Sequence, residues 1–300
     1  MNRTSFCGFV SIIGEANAGK STLLNNLIGA DISIVTHKAQ TTRKNIKGIS
    51  IYNDTQIVFV DTPGIFKPTK KMDKLIVNQV IKGINDSEII ALIVDGRKGI
   101  TENIKHLLMN ISDKKNSSKK VILLVNKIDL LDKIKVLDLS ANLNKAFQFD
   151  KTFMISAKKK YGLHDLKLWV SLSLPEGPWL YPPDQISDIS KNKISAEITR
   201  KKIFEFVHDE LPYQIFVRSE KWKKLNNGSI KIEQLIFVSN NRHKAVLLGA
   251  GGKNIKSISI SSRKEIEIFL NKKVHLFLRV KVLNNWHKNY NKILLNNNDI

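Results

Sequence analysis

Eight consecutive residues near the start of this 300-residue chain have the types needed to hold a polyphosphate. Gly14, Glu15, Ala16, Asn17, Ala18, Gly19, Lys20 and Ser21 fit the pattern G-x-x-x-x-G-K-[ST]. The glycines let backbone N–H groups converge on a β-phosphate, and a helix from Lys20 would point its positive end there. Lys20 would contact the β- and γ-phosphates as a catalytic cation, and the Ser21 hydroxyl would hold Mg2+. Further on, Asp61, Thr62, Pro63 and Gly64 follow an apolar run at 57–60. A carboxylate at the end of a buried strand can reach Mg2+ through a water, and the Gly64 N–H can sense a γ-phosphate.

A third group selects the base. Asn126, Lys127, Ile128 and Asp129 end the apolar run 121–125, at the carboxyl edge where open α/β sheets bind ligands. The Asp129 carboxylate can accept from both N1–H and the exocyclic amine of guanine, a donor pair that adenine lacks. Lys127 can lay its aliphatic stem along the base. Ser156, Ala157 and Lys158 follow a last strand and would bring a backbone N–H near guanine O6. Gln40, Thr41, Thr42 and Arg43 lie between the first two motifs, where a mobile loop could cap Mg2+ with a threonine in the triphosphate state.

The elements that must position these residues alternate along the first half. Runs at 6–13, 57–60, 89–94, 121–125 and 152–155 read as strands buried on both faces, with helical patterns beginning near Lys20, Met72, Glu102 and Lys135. Such alternation predicts an α/β domain with a mostly parallel sheet and helices on both faces. The run 46–52 reads as a hairpin partner at one edge. Four of the seven prolines then fall within 174–183. Proline fixes φ and lacks a donor, so this stretch reads as a semi-rigid linker. The expected division is 1–173, a nucleotide-binding domain; 174–190, the linker; and 191–300, a smaller α+β unit. The last contains a helix near 195–208, strands at 214–218 and 230–238, and a helix at 242–248. Gly249, Ala250, Gly251 and Gly252 come next, then a helix to 269 and a strand at 274–281.

Composition sets the limits. A hydrophobic fraction of 42% and a charged fraction of 25% are those of a globular protein, and no apolar run has the length of a membrane span. The lone cysteine, Cys7, excludes an internal disulfide and reads as a small strand residue in a reducing compartment. The net charge of +22 favours a polyanionic partner. Split at 172/173, the excess is nearly even, +12 before and +10 after. A lysine- and asparagine-rich composition imposed by an AT-rich genome would give the same total.

Taken in order, the five nucleotide motifs resemble the translation-factor-like GTPases. The segments 14–21, 38–43 and 61–64 are similar to those of the Era family. The order helix, two strands, helix, G-x-x-G, helix, strand resembles a type II KH domain, whose loop brings its backbone against that of a nucleic acid. Segments 175–178, 210–213 and 273–281 also resemble Era, so the likeness covers nearly the whole chain. The resemblance implies an α/β P-loop GTPase domain followed by a type II KH domain. It makes Thr42 the Mg2+-capping residue, with Thr41 the alternative. Asn17 matches an asparagine that in related GTPases helps bind K+ beside the phosphates. Ile65 stands where Ras-like enzymes place the glutamine that orients water, which implies slow intrinsic hydrolysis.

RNA contacts are expected from Gly249, Ala250, Gly251 and Gly252, with Lys253 and Lys256 adding charge; family members often carry a basic residue where this chain has Ala250 or Gly251. The tryptophans Trp179, Trp222 and Trp286 read as packing groups. The likeness further implies a GTP-hydrolysing switch that binds the 3′ end of 16S rRNA during assembly of the 30S subunit. GTP and GDP would be its nucleotides, Mg2+ and K+ its ions. The expected state is a cytoplasmic monomer, peripherally associated with the cytoplasmic face of the inner membrane. An ATP-dependent P-loop protein and an RNA-binding scaffold with a vestigial nucleotide site are the rival readings; Asn126 and Asp129 oppose the first, and measured turnover would exclude the second. A single P-loop disfavours a double-G-domain GTPase.

Overall fold

The computed structural model describes residues 4–33, 45–64, 83–112, 119–207 and 215–283. These form two compact units, Met1–Ile189 and Ser190–Ile300. Met72, Thr41, Thr42, Ile65 and Trp286 lie outside the described residues.

The first unit is a six-stranded sheet in the order β2-β3-β1-β4-β5-β6. Its strands are β1 (Phe6–Gly14), β2 (Ile46–Tyr52), β3 (Thr55–Asp61), β4 (Ile89–Asp95), β5 (Lys120–Asn126) and β6 (Lys151–Ile155). All pairings are parallel except the β2–β3 hairpin at one edge. Helices α1 (Lys20–Ile28), α2 (Glu102–Ser112), α3 (Lys133–Ala146) and α4 (Leu163–Ser173) are the crossovers and covers among the described residues. Strands β3 and β4 are buried at every position, as central parallel strands must be. Ile90, Leu92 and Val94 of β4 and Val121, Leu123 and Val125 of β5 pack on Ile104, Leu107 and Ile111 of α2 and on Val136 and Leu143 of α3. Each such side chain removed from water contributes about 2 kcal/mol.

Two expectations need correcting here. The strand at 152–155 is not buried on both faces: β6 is a sheet edge, and its residues alternate between partly exposed and buried. Helix α4 has no counterpart in the sequence reading. Its start is Gly162 in the left-handed region (φ 72°) with no side-chain cap, so the usual polar start signal is missing.

The proline-rich stretch is fastened to the first unit along its length. The Cys7 N–H donates to Pro175 O, the Gly177 N–H to Ser5 O and the Ile49 N–H to Ile186 O, while Ser187 bridges Gly48 on the open edge of β2. Gln56 of β3, fully buried, accepts the N–H groups of Leu180 and Tyr181 on Oε1 (2.9 and 3.0 Å) and donates Nε2 to Tyr181 O (2.8 Å). Trp179 donates its indole N–H to Asp54 O, a packing role. The stretch is therefore a strap up to Ile189, and the second unit starts at Ser190, the N-cap of the next helix.

The second unit has a three-stranded sheet, β7 (Ile215–Lys224), β8 (Ile230–Val238) and β9 (Val274–Val282), with β7–β8 antiparallel and β8–β9 parallel. Helices α5 (Lys191–Phe206), α6 (Asn241–Leu248) and α7 (Lys253–Leu270) supply Ile203, Leu247 and Ile258 to a core with Ile215, Val217, Ile236 and Val238. The unit boundary also changes the charge balance. Residues 1–189 carry 27 basic and 18 acidic side chains, a net of +9; residues 190–300 carry 22 and 9, a net of +13 in a much shorter stretch. The excess is concentrated in the second unit because the strap's Glu176, Asp184 and Asp188 belong to the first.

Candidate functional site

The carboxyl ends of β1, β3, β4 and β5 bring the three motifs together. Gly14 closes β1 and Lys20 opens α1, whose N-cap Gly19 (φ 106°) leaves the helix start without a side-chain cap. A Cβ on Gly19 would run into the Asn126 amide, so the loop passes directly over the base motif. Lys20, buried at 6% exposure, donates Nζ to Gly14 O (3.0 Å) and Glu15 O (2.7 Å). Burial pulls its pKa from 10.5 down to about 8, with Asp61 and Glu15 opposing the shift. The ammonium thus sits on loop carbonyls at the place where phosphate oxygens would solvate it better.

Asp61 is fully buried at the end of β3, and its Oδ2 accepts from the hydroxyls of Ser21 (2.7 Å) and Ser33 (2.8 Å). Thr62 donates its hydroxyl to Ile12 O (2.8 Å). A Cβ on Gly64 would lie 2.8 Å from the Ala16 Cα, so the segment after β3 touches the phosphate loop. Ser21 and Asp61 offer a hydroxyl and a carboxylate oxygen side by side, the hard donors that Mg2+ takes when phosphates and waters complete its shell. Among the described residues no group of three or more His, Cys, Asp or Glu could hold a metal by itself.

Asn126 ties the loops into one body. Its Nδ2 donates to Ala18 O (2.8 Å) and its Oδ1 accepts the Ala157 N–H (2.9 Å). A guanine O6 approaching the Ala157 N–H would share or displace that bond, and the Ser156 N–H already donates to Tyr161 O. Lys127 (φ 66°) extends Nζ to Asn17 O and to Asp95 Oδ2, both at 2.6 Å. Ile128–Leu130 is a single 3-10 turn that leaves Asp129 exposed beside Lys127. Asn17 is itself exposed and left-handed (φ 63°).

Four residues here escape a sequence reading. Asp95 ends β4 opposite Asn126 and pairs with Arg97 (2.8 Å) as well as Lys127. Burial alone would raise its pKa, but the hydrogen bonds from Arg97 and Lys127 prevail and hold it at about 2. Ser33 braces Asp61, and Thr101 and Asn103 hold the Glu15 carboxylate (2.8 and 2.9 Å). Only Asp95 had a signal, its place at the end of a buried strand.

In the second unit Gly249, Ala250, Gly251 and Gly252 join α6 to α7. Asn240 caps α6 by accepting the His243 N–H (2.8 Å). Gly249, Gly251 and Gly252 all have positive φ (71°, 58° and 76°). At Gly249 the demand is internal: a Cβ would lie 2.7 Å from Asn254, which donates to Val246 O and locks the loop. A Cβ on Gly251 would meet open space, and one on Gly252 only Ile255 at 4.0 Å. Ala250, Gly251, Lys253 and Lys256 are exposed, so this backbone faces solvent. The start of α7 has no side-chain cap and no acidic residue in its first turn.

A phosphate loop, Asp61 and Asn126 gathered at the carboxyl edge of a mostly parallel sheet, followed by an exposed G-x-x-G loop, define a P-loop GTPase with a KH domain. Family models agree: residues 9–127 match the 50S ribosome-binding GTPase model and residues 210–287 the KH domain model. GTPase Era of Dinoroseobacter shibae is 47% identical over 279 residues, covering 93% of this chain and 91% of that protein. Era of Agrobacterium fabrum is also 47% identical, over 93% of this chain and 87% of that one. A crystal structure of Era with MgGDPNP and nucleotides 1506–1542 of 16S ribosomal RNA superposes with a TM-score of 0.90 at 32% identity, covering 97% of this chain and 98% of that one. The chain belongs to the Era GTPase family.

Proposed function

We propose that this chain is a GTP-driven switch whose KH domain binds the 3′ end of 16S rRNA in a precursor of the 30S subunit. The observation that carries the reading is the Asn126 side chain, which joins Ala18 of the phosphate loop to Ala157 of the base loop in one rigid cradle. Era's complex with MgGDPNP and 16S nucleotides 1506–1542 supports both ligands.

In this reading Gly14–Ser21 enclose the phosphates, Asp129 selects guanine, and Lys127, held by Asp95, supports the base. Lys20 leaves its loop carbonyls for the β- and γ-oxygens. Ser21, Asp61 through water, and Thr42 hold Mg2+, which when bound offsets charge building between those phosphates. Asn17 contributes to a K+ site that does the work Ile65 cannot do. The protein acts as a cytoplasmic monomer that associates peripherally with the inner membrane. No helix among the described residues is long and apolar enough to cross a membrane.

The test is multiple-turnover GTP hydrolysis with ATP as competitor, run in potassium and in sodium at equal ionic strength. Turnover of GTP, unaffected by ATP and faster in potassium, is expected. Binding without turnover would leave only a scaffold, and equal inhibition by ATP would remove the guanine assignment.

A further inference from the structure

We propose that Ser33 is a positioning residue for the Mg2+ that accompanies the nucleotide: its hydroxyl fixes the orientation of the Asp61 carboxylate, and Asn25 fixes Ser33. This deepens the nucleotide and Mg2+ reading above and rests on it.

An aspartate carboxylate turns easily about its last bond, because that torsion is broad and roughly two-fold. A carboxylate that must present one face to a water on a metal therefore needs an outside hold. Asp61, fully buried at the end of β3, has two donors on the same oxygen: Oδ2 accepts from Ser21 at 2.7 Å and from Ser33 at 2.8 Å. Rotating the carboxylate loses both bonds. The two donors differ in what they do. Ser21 would offer its oxygen to Mg2+ and keep its hydrogen for Asp61. Ser33 lies outside the phosphate loop and reaches the metal's place through Asp61.

Asn25 builds the hold on Ser33. It lies one turn beyond Ser21 on α1 and is only 7% exposed. The helix ends at Ile28, and the Asn25 carbonyl accepts the N–H groups of Gly29 (2.8 Å) and Ala30 (3.1 Å) as the chain turns back. Its side chain then takes the returning backbone. Oδ1 accepts the N–H groups of Ile32 (3.1 Å) and Ser33 (2.9 Å), while Nδ2 donates to Ser33 O (2.8 Å) and Asp31 Oδ1 (3.2 Å). Ser33 is thus gripped at both its N–H and its carbonyl by the helix that carries Lys20 and Ser21.

A serine hydroxyl that needs only a partner finds a carbonyl in its own helix, as Ser140 does with Val136 O (2.7 Å) and Ser195 with Lys191 O (2.8 Å). Ser33 is carried instead to the carboxylate that faces the metal. At 5% exposure it has little water to replace that bond. Without its hydroxyl, Asp61 keeps Ser21 on that oxygen but loses the hold from the other side, and Mg2+ binding weakens while the loop's contacts to the phosphates remain.

The test titrates the full chain with GDP, in EDTA and across a Mg2+ series. Raising Mg2+ should tighten GDP binding to the unmutated chain. Ser33→Ala and Asn25→Ala should each need at least about fivefold more Mg2+ for half of that effect, while GDP affinity in EDTA stays within about twofold. A role in packing alone would weaken binding equally with and without Mg2+. Thermal melting checks that both variants fold; if Asn25→Ala does not, Ser33→Ala decides. An unchanged Mg2+ requirement in either folded variant, or the same loss in EDTA as in Mg2+, would overturn the proposal. Absence of any Mg2+ effect on GDP binding by the unmutated chain would instead strike the nucleotide and Mg2+ reading itself.

Discussion

Asp129 and Lys20 are the residues whose type and spacing point to the most specific chemistry. An Asp129→Asn variant presents a donor where guanine needs an acceptor. GTP affinity should fall by about 2–3 kcal/mol and xanthine nucleotides should gain relative to it. Equilibrium titration with GTP and XTP checks this; unchanged affinity for both would unseat the base assignment. Lys20 makes a pH prediction. Its pKa in the nucleotide-free fold is about 8, lowered by burial, and phosphate oxygens opposite it would raise it. Between that value and the ordinary 10.5, nucleotide binding must therefore take up a proton, and affinity should decline as pH rises. Calorimetry at pH about 8.5 in buffers of different ionisation enthalpy should show uptake that a Lys20→Met variant lacks. The partners of these residues were less visible. Asp95 holds Lys127 through a contact between two strand ends, and Ser33 reaches Asp61 across a gap in sequence; neither relation has a spacing that marks it.

The strands, their edge hairpin and most helices could be read from period and punctuation, because continuous apolar runs of this length are buried parallel strands in an α/β pattern. Prolines were a weaker guide. They marked 174–183 as unable to join a helix or central strand, but it is the non-proline N–H groups of Gly177, Leu180 and Tyr181 that fasten the strap. Gln56→Leu would leave two of those part-buried groups without their acceptor, at a cost of about 1–2 kcal/mol. Amide exchange at Leu180 and Tyr181 should then accelerate by at least about tenfold; wild-type protection would show that the strap does not depend on Gln56. The G-x-x-G loop is an element with a separable role. Gly252→Asp puts a carboxylate where a Cβ meets only Ile255 at 4.0 Å but at a left-handed φ of 76°, so it strains the loop locally; thermal melting must show the variant folded, and RNA binding should then be lost while GTP affinity stays within about twofold. A folded variant with wild-type RNA affinity would remove the loop from the binding site.

At the scale of the molecule, two functional units lie on one chain, and the more basic is the one with the G-x-x-G loop. A split at 172/173 concealed this, because the boundary is set by hydrogen bonds to the β2 edge that composition does not report. We infer that the two units are linked, so that the nucleotide in the first alters RNA affinity in the second. A nucleotide can shift RNA binding only through unequal affinity for the states that RNA distinguishes, and the effect is reciprocal. The most direct measurement is the dissociation constant for RNA matching 16S nucleotides 1506–1542, with a non-hydrolysable GTP analogue, with GDP and with no nucleotide, at one fixed salt concentration. The analogue and GDP values should differ by at least about fivefold, a coupling of about 1 kcal/mol, and Gly252→Asp should abolish binding in all three states. Identical constants with the analogue, with GDP and with neither would contradict it.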